Sequence, residues 1–179
     1  MEQPPELRGE RVLLRQPVKQ DHADYMRVDF DPEMLHMYGE DRHRRLLKTE
    51  ADAAAFLEAI SRHPHEWCVE YEGRLIGQAR LTVRWEDEKA RFAIGLFDPS
   101  VWGKGLGTEI TKLVLGYAFE TLQLHRVELK VLAYNTRAIR CYEKSGFIKE
   151  GIEREGALVE GTFHDDIRMS ILRKEYEDQ

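Results

Sequence analysis

Gly103, Gly105 and Gly107 alternate within the stretch Val101-Trp102-Gly103-Lys104-Gly105-Leu106-Gly107-Thr108. An apolar strand-like run, Phe92-Ala93-Ile94-Gly95-Leu96-Phe97, precedes it, and an amphipathic helix follows. Glycines at this spacing permit backbone conformations that a Cβ forbids. They also place consecutive N–H groups at a helix start, where the dipole favours an anion. The chemistry this suits is the cradling of a diphosphate. A Walker loop does not fit, because Asp98 stands at its first glycine position and Gly105 follows Gly103-Lys104. A dinucleotide fingerprint does not fit either, since its last glycine falls on Thr108 or Ile110. From the loop alone, a diphosphate cradle and a plain glycine-rich helix start both remain open.

A second group of residues lies in Asn135-Thr136-Arg137-Ala138-Ile139-Arg140-Cys141-Tyr142-Glu143-Lys144-Ser145-Gly146-Phe147. Asn135 and Tyr142 are spaced seven positions apart, which puts both on one helix face two turns apart. This segment resembles the pattern Asn-x-x-Ala-x-x-x-Tyr-x-x-x-Gly-Phe of the GNAT-type N-acetyltransferases at every specified position. The glycine loop resembles that family's Gln/Arg-x-x-Gly-x-Gly/Ala, with Gly105 and Gly107 in place and Trp102 where Gln or Arg is usual. The closing Gly161-Thr162-Phe163-His164-Asp165-Asp166-Ile167-Arg168-Met169-Ser170 is similar to the last strands of the spermidine and ribosomal-protein acetyltransferase branch.

The resemblance implies an acetyl-CoA-dependent enzyme without a metal, acting on a primary amine of a polyamine, a protein N-terminus or an aminoglycoside. Such an amine titrates near about 10.4 and the departing thiol near about 8.5, so both ends need proton management. The family gives the tyrosine at position 142 the task of protonating the thiolate. A core role is the alternative, since Ala138, Ile139 and Tyr142 share an apolar stripe. Asn135 is expected to cap its helix and to meet the pantetheine amides, with Arg137 and Arg140 near the CoA phosphates. By position, the backbone of Ile94, Leu96 and Phe97 pairs with pantetheine, and an amide near Leu96 or Phe97 polarises the thioester carbonyl. The N–H groups of Trp102, Gly103, Lys104, Gly105, Leu106, Gly107 and Thr108 are expected to hold the diphosphate. The Lys104 charge then adds less than roughly 2 kcal/mol.

The base is harder to place. Relatives often carry a glutamate after an alanine early in the strand before the loop, but here Arg91 follows Ala90. Glu40, in Tyr38-Gly39-Glu40-Asp41, resembles an acid lining the acceptor side in polyamine acetyltransferases; Glu70 and a water chain are alternatives. A CoA-binding regulatory module without catalysis is the rival from another class.

Those residues need elements to position them. The 179 residues suit one domain with a full core, spanning 1–179. Charged residues make up 34% and hydrophobic ones 42%, a soluble profile with no stretch long enough for a bilayer. The amino terminus lacks a signal-peptide pattern, so a cytoplasmic location is expected. A net charge of −6 argues against nucleic-acid affinity, and the basic run Arg42-His43-Arg44-Arg45-Leu46-Leu47-Lys48 is short. Cys68 and Cys141, and His36, His43, His63 and His65, lack metal-ligand spacing. Oligomeric state is read only from the resemblance, which implies a homodimer.

Periodicity predicts about seven strands and about four helices in the order β-α-α-β-β-β-α-β-α-β-β, an α/β plan around a mixed, mostly antiparallel sheet. Helices are expected over 21–28, behind Thr49-x-x-Asp52, after the glycine loop and after Asn135. The stretch 31–48 reads as a loop or broken helix. Ala79, Leu81, Val83 and Trp85 are expected on one buried strand face.

Overall fold

The computed structural model describes residues 3–43 and 48–179. Its strands are β1 (Leu7–Arg8), β2 (Val12–Arg15), β3 (Glu66–Tyr71), β4 (Arg74–Arg84), β5 (Lys89–Leu96), β6 (Arg126–Leu132), β7 (Ile148–Val159) and β8 (Thr162–Leu172). Its helices are α1 (Gln20–Arg27), α2 (Pro32–Met37), α3 (Glu50–Arg62), α4 (Leu106–Gly116), α5 (Thr136–Lys144) and α6 (Arg173–Glu177). The strands form one sheet in the order β1-β2-β3-β4-β5-β6-β8-β7. The ladders β1–β2, β2–β3, β3–β4, β6–β8 and β7–β8 are antiparallel. β5 pairs with β6 in parallel over Lys89, Ala90 and Arg91. A parallel pair needs a long crossover, and α4 supplies it. The expected plan therefore stands. Its additions are β1, α2 and α6, each too short to leave a periodic pattern in sequence.

The chain divides into two compact units. Of the described residues, the first holds 3–30, 48–81 and 93–114. Its core gathers Tyr25, Ala53, Ile60, Cys68 and Leu75, with Met26, Phe56, Leu57 and Phe97 packed against them. α3 begins where the sequence indicates, with Thr49 and Asp52 satisfying each other's backbone N–H groups. Asp21 fixes the start of α1 by accepting from Arg15 at 2.7 and 2.8 Å and from the Val18 N–H at 2.8 Å. Ile110 and Val114 of α4 are wholly buried. Each such side chain contributes about 1.5–3 kcal/mol. That outweighs the roughly 1 kcal/mol that a helical glycine such as Gly107 costs, so packing holds the helix behind the glycine loop.

The second unit holds 31–43, 82–92 and 115–179 of the described residues. Val127, Leu129 and Val131 of β6 and Ile167, Met169 and Ile171 of β8 are buried, as their alternation indicates. Residues 31–48 are not wholly irregular: Pro32 opens α2, and the Asp31 carboxylate accepts the Met34 N–H at 2.9 Å. Arg44, Arg45, Leu46 and Leu47 of the basic run lie outside the described residues. Trp85 corrects the sequence reading. It is 58% exposed, because the chain leaves β4 for a short 3-10 turn, Trp85–Asp87, and the strand alternation ends there. Past Gly116 the chain winds into a π turn over Tyr117–Thr121, which no local pattern announced. Among the described residues, no helix is long and apolar enough to cross a membrane.

Candidate active site

Within the first unit, the glycine loop leaves β5 through a 3-10 turn, Pro99–Val101, capped by the Asp98 carboxylate on the Ser100 N–H. Gly103 and Gly105 both take positive φ, +75° and +77°, a region that penalises any Cβ. Gly107 is instead helical, the second residue of α4. The first ladder bond of α4 joins the Glu109 N–H to the Gly105 carbonyl at 3.2 Å, and the helix-opening amides lie ahead of it. Open space surrounds the position where a Gly103 Cβ would stand. The loop thus has the backbone and dipole of an anion cradle.

Two of the amides nominated from sequence are committed elsewhere. The Trp102 N–H donates to the Pro99 carbonyl at 3.1 Å, and its indole N–H closes onto the Leu96 carbonyl at 3.0 Å. The Phe97 N–H donates to the Ile76 carbonyl at 3.0 Å, so it does not polarise a thioester. The first partner belongs to the local 3-10 turn; the second comes from the path of the chain in space, which spacing in sequence does not show. The Lys104 ammonium sits 5.7 Å from the Tyr71 ring centre, a cation–π position.

Within the second unit, α5 carries Arg137, Arg140 and Tyr142, and Asn135 is its N-cap. The Asn135 side chain accepts the Ala138 N–H at 3.2 Å and donates to the Met37 carbonyl at 3.2 Å. Each polar end of the side chain thus has a partner inside the protein, and Asn135 caps α5. Arg137 and Arg140 are exposed. Gly146, at φ +95°, ends the helix as its C′ position requires.

Tyr142 is buried, edge-on to Phe92 at 6.3 Å and to Phe147 at 5.8 Å between ring centres. Burial, with the neighbouring Cys141 and Tyr38, pushes its phenol well above the ordinary tyrosine range. The hydroxyl keeps its proton at neutral pH. Among the described residues, none hydrogen-bonds that hydroxyl. A core tyrosine ordinarily finds a partner, so this one is placed as a donor without an internal acceptor.

Glu40 is exposed and follows Gly39, whose φ is +78°. Its segment is held by the Asn135–Met37 bond and by the Tyr134 hydroxyl, which donates to the His36 carbonyl at 2.5 Å. His36 stacks on the Tyr134 ring at 4.5 Å, and Arg42 pairs with Glu160 at 2.9 Å. Glu70, the alternative base, is instead bound to the Arg15 guanidinium at 2.6 Å. Cys68 is buried and its thiol is raised by desolvation, so it is inert. Among the described residues, no group of three or more His, Cys, Asp or Glu could hold a metal.

Sequence reasoning missed one pair beside the loop: Arg11 and Glu109, 98 residues apart. The Glu109 carboxylate accepts the Arg11 N–H at 2.7 Å, the Val12 N–H at 3.2 Å and the Arg11 Nε–H at 2.9 Å. No local pattern could have joined them.

Comparison with known proteins adds to this geometry. The acetyltransferase (GNAT) domain matches residues 11–148. The protein named "Probable N-acetyltransferase YjcK" of Bacillus subtilis strain 168 is 38% identical over 107 residues, covering 59% of each chain. The chain thus spans about three-fifths of that relative's length. The spermidine N(1)-acetyltransferase of Escherichia coli K12 is 32% identical over 131 residues, 68% of this chain and 70% of that protein. The crystal structure of spermidine N-acetyltransferase from Vibrio cholerae, in complex with CoA and spermine, superimposes with a TM-score of 0.76. It covers 93% of this chain and 98% of that one at 24% identity, a likeness of fold.

Proposed function

The chain belongs to the acetyltransferase (GNAT) family, and from that premise we propose that it moves the acetyl group of acetyl-CoA to a primary amine by direct attack. The observation that carries the reading is the glycine loop, with positive φ at Gly103 and Gly105, opening a helix held by buried packing. In this reading the amides of residues 103–108 take the diphosphate. The backbone of Ile94 and Leu96 runs beside pantetheine, and the Leu96 amide faces the thioester carbonyl.

The incoming ammonium first loses a proton, which Glu40 accepts. The nitrogen lone pair then attacks the carbonyl carbon, and the electrons of the C=O bond move to oxygen. As that oxyanion collapses, the C–S bond breaks, the nitrogen gives its second proton to solvent and the amide remains. Tyr142 gives its proton to the departing thiolate and recovers one from solvent. Its phenol, raised by burial, is protonated at neutral pH and so carries the proton this step uses. No acyl-enzyme is needed, so Cys141 takes no part.

A polyamine, a protein N-terminus and an aminoglycoside are the acceptor classes. The spermidine acetyltransferases among the relatives and the chain's net charge of −6 favour a polycation. The family resemblance implies a homodimer, which sedimentation velocity would test, and the lack of a signal-peptide pattern favours a cytoplasmic location. The experiment for the activity is a thiol-release screen over polyamines, aminoglycosides and amino-terminal peptides. Release with at least one amine, lost in Tyr142→Phe, is expected. CoA binding without release over the whole panel would point to a non-catalytic module.

A further inference from the structure

Beside the glycine loop, one guanidinium does two things at once. Arg11 donates from Nη1 to the Lys104 carbonyl at 2.8 Å and from Nε to Glu109 at 2.9 Å. The Lys104–Gly105 peptide is planar and trans, so its carbonyl and its N–H point to opposite sides. Holding the carbonyl towards Arg11 therefore aims the Gly105 N–H away from Arg11. That peptide turns about ψ of Lys104 and φ of Gly105, and Gly105, with no Cβ, tolerates either orientation. The space against Arg11 is also close: a Cβ at Gly105 would stand 3.6 Å from Nη2.

The second task is electrostatic. Glu109 lies in the first turn of α4, where an anion bound at the opening amides would feel its charge. Gly9 lies against the carboxylate so closely that a Cβ there would come within 2.5 Å of Oε1. Burial opposes the charge, but the Arg11 and Val12 N–H groups and the Arg11 guanidinium hold the carboxyl below the usual glutamate range. Glu109 thus stays ionised beside the loop and needs its cation.

We propose that Arg11 is a positioning residue for the CoA diphosphate, fixing the Lys104–Gly105 peptide with its N–H towards the anion and cancelling the charge of Glu109. The inference rests on the diphosphate reading of the loop. It predicts that Arg11 acts on the nucleotide half of CoA and leaves the pantetheine half untouched.

The test is calorimetric binding of CoA and, by competition, of pantetheine, which lacks the diphosphate. Wild type, Arg11→Ala, Glu109→Gln and the double variant are compared. Arg11→Ala should weaken CoA about tenfold and leave pantetheine within twofold, since a hydrogen bond to a charged group is at stake. Glu109→Gln should keep the backbone contacts through its remaining carbonyl oxygen and bind CoA about threefold tighter, because the repelling charge is gone. The double variant should recover part of the loss of Arg11→Ala. A purely structural ion pair would instead weaken both ligands alike and give no gain from Glu109→Gln; either result overturns the proposal. If Arg11→Ala does not fold, the direction of change in Glu109→Gln decides the matter. If wild type binds CoA no better than pantetheine, the diphosphate reading falls with it. A wild type that prefers CoA, with no selective loss in Arg11→Ala, sinks the Arg11 role alone.

Discussion

Gly77→Ala is the substitution whose outcome follows most directly from the geometry. A Cβ at position 77 of β4 would stand 2.1 Å from the Gly95 carbonyl oxygen, 2.9 Å from Leu96 Cδ2 and 3.0 Å from the Gly95 carbonyl carbon. The leucine can rotate; the carbonyl of β5 cannot. A carbon–oxygen approach is ordinarily about 3.3 Å or more, so β4 and β5 must part by about 1 Å. The Phe97 N–H to Ile76 carbonyl bond, 3.0 Å long and adjacent to the clash, would be stretched out of range. Overpacking costs about 1–3 kcal/mol, and the lost bond about 1 more. For a domain of this size that lowers Tm by about 5–15 °C. The displaced strand is the one proposed to run beside pantetheine, so CoA affinity should fall as well. Thermal unfolding by circular dichroism and calorimetric CoA titration measure the two effects. Gly151→Ala is the control, having no positive φ and nothing within 4 Å of its would-be Cβ. A Gly77→Ala protein melting within about 1 °C of wild type, with unchanged CoA affinity, would refute the reasoning.

Two further outcomes are expected. Tyr142→Phe removes a hydroxyl that no described residue bonds. Stability should therefore stay within about 0.5 kcal/mol while kcat falls about 100-fold or more, and equal loss of both would assign Tyr142 to the core alone. The Glu150 carboxyl is held down to about 2, first by the Arg126 guanidinium and then by the Ser170 hydroxyl. A depressed carboxyl stabilises the fold above its unfolded value and ceases to do so as pH falls through its folded value. The advantage of wild type over Glu150→Gln in urea midpoint should be full above about pH 5 and gone near pH 2. With Glu150 43% exposed, solvent screening limits that advantage to about 1 kcal/mol. A difference that does not change with pH would contradict the pairing.

What sequence could reveal was local. The loop glycines, the Thr49–Asp52 box, the Asn135 cap and the Gly146 stop each act within a few residues, and spacing suffices to read them. Strand faces were legible wherever alternation persisted, and Trp85 failed because the strand had already ended in a turn. The site's wiring was not legible, since it joins residues far apart in the chain. Ile76 takes the Phe97 N–H, Met37 takes the Asn135 amide, and Arg15 takes Glu70. Arg11, which reaches both the loop and α4, carries no motif. Glu40 was not legible for a different reason: an exposed acid has no periodic or capping signature to distinguish it from an ordinary surface carboxylate.

In the proposed reaction CoA lies with its diphosphate at the start of α4. Titration of uniformly ¹⁵N-labelled protein with CoA, followed by amide chemical shifts, tests this most directly. The largest shifts should fall on Gly103, Lys104, Gly105, Leu106, Gly107 and Thr108, and adenosine 5′-diphosphate, which keeps the diphosphate, should reproduce them. Saturating CoA that leaves those amides unmoved, or moves only residues elsewhere, would contradict the central claim.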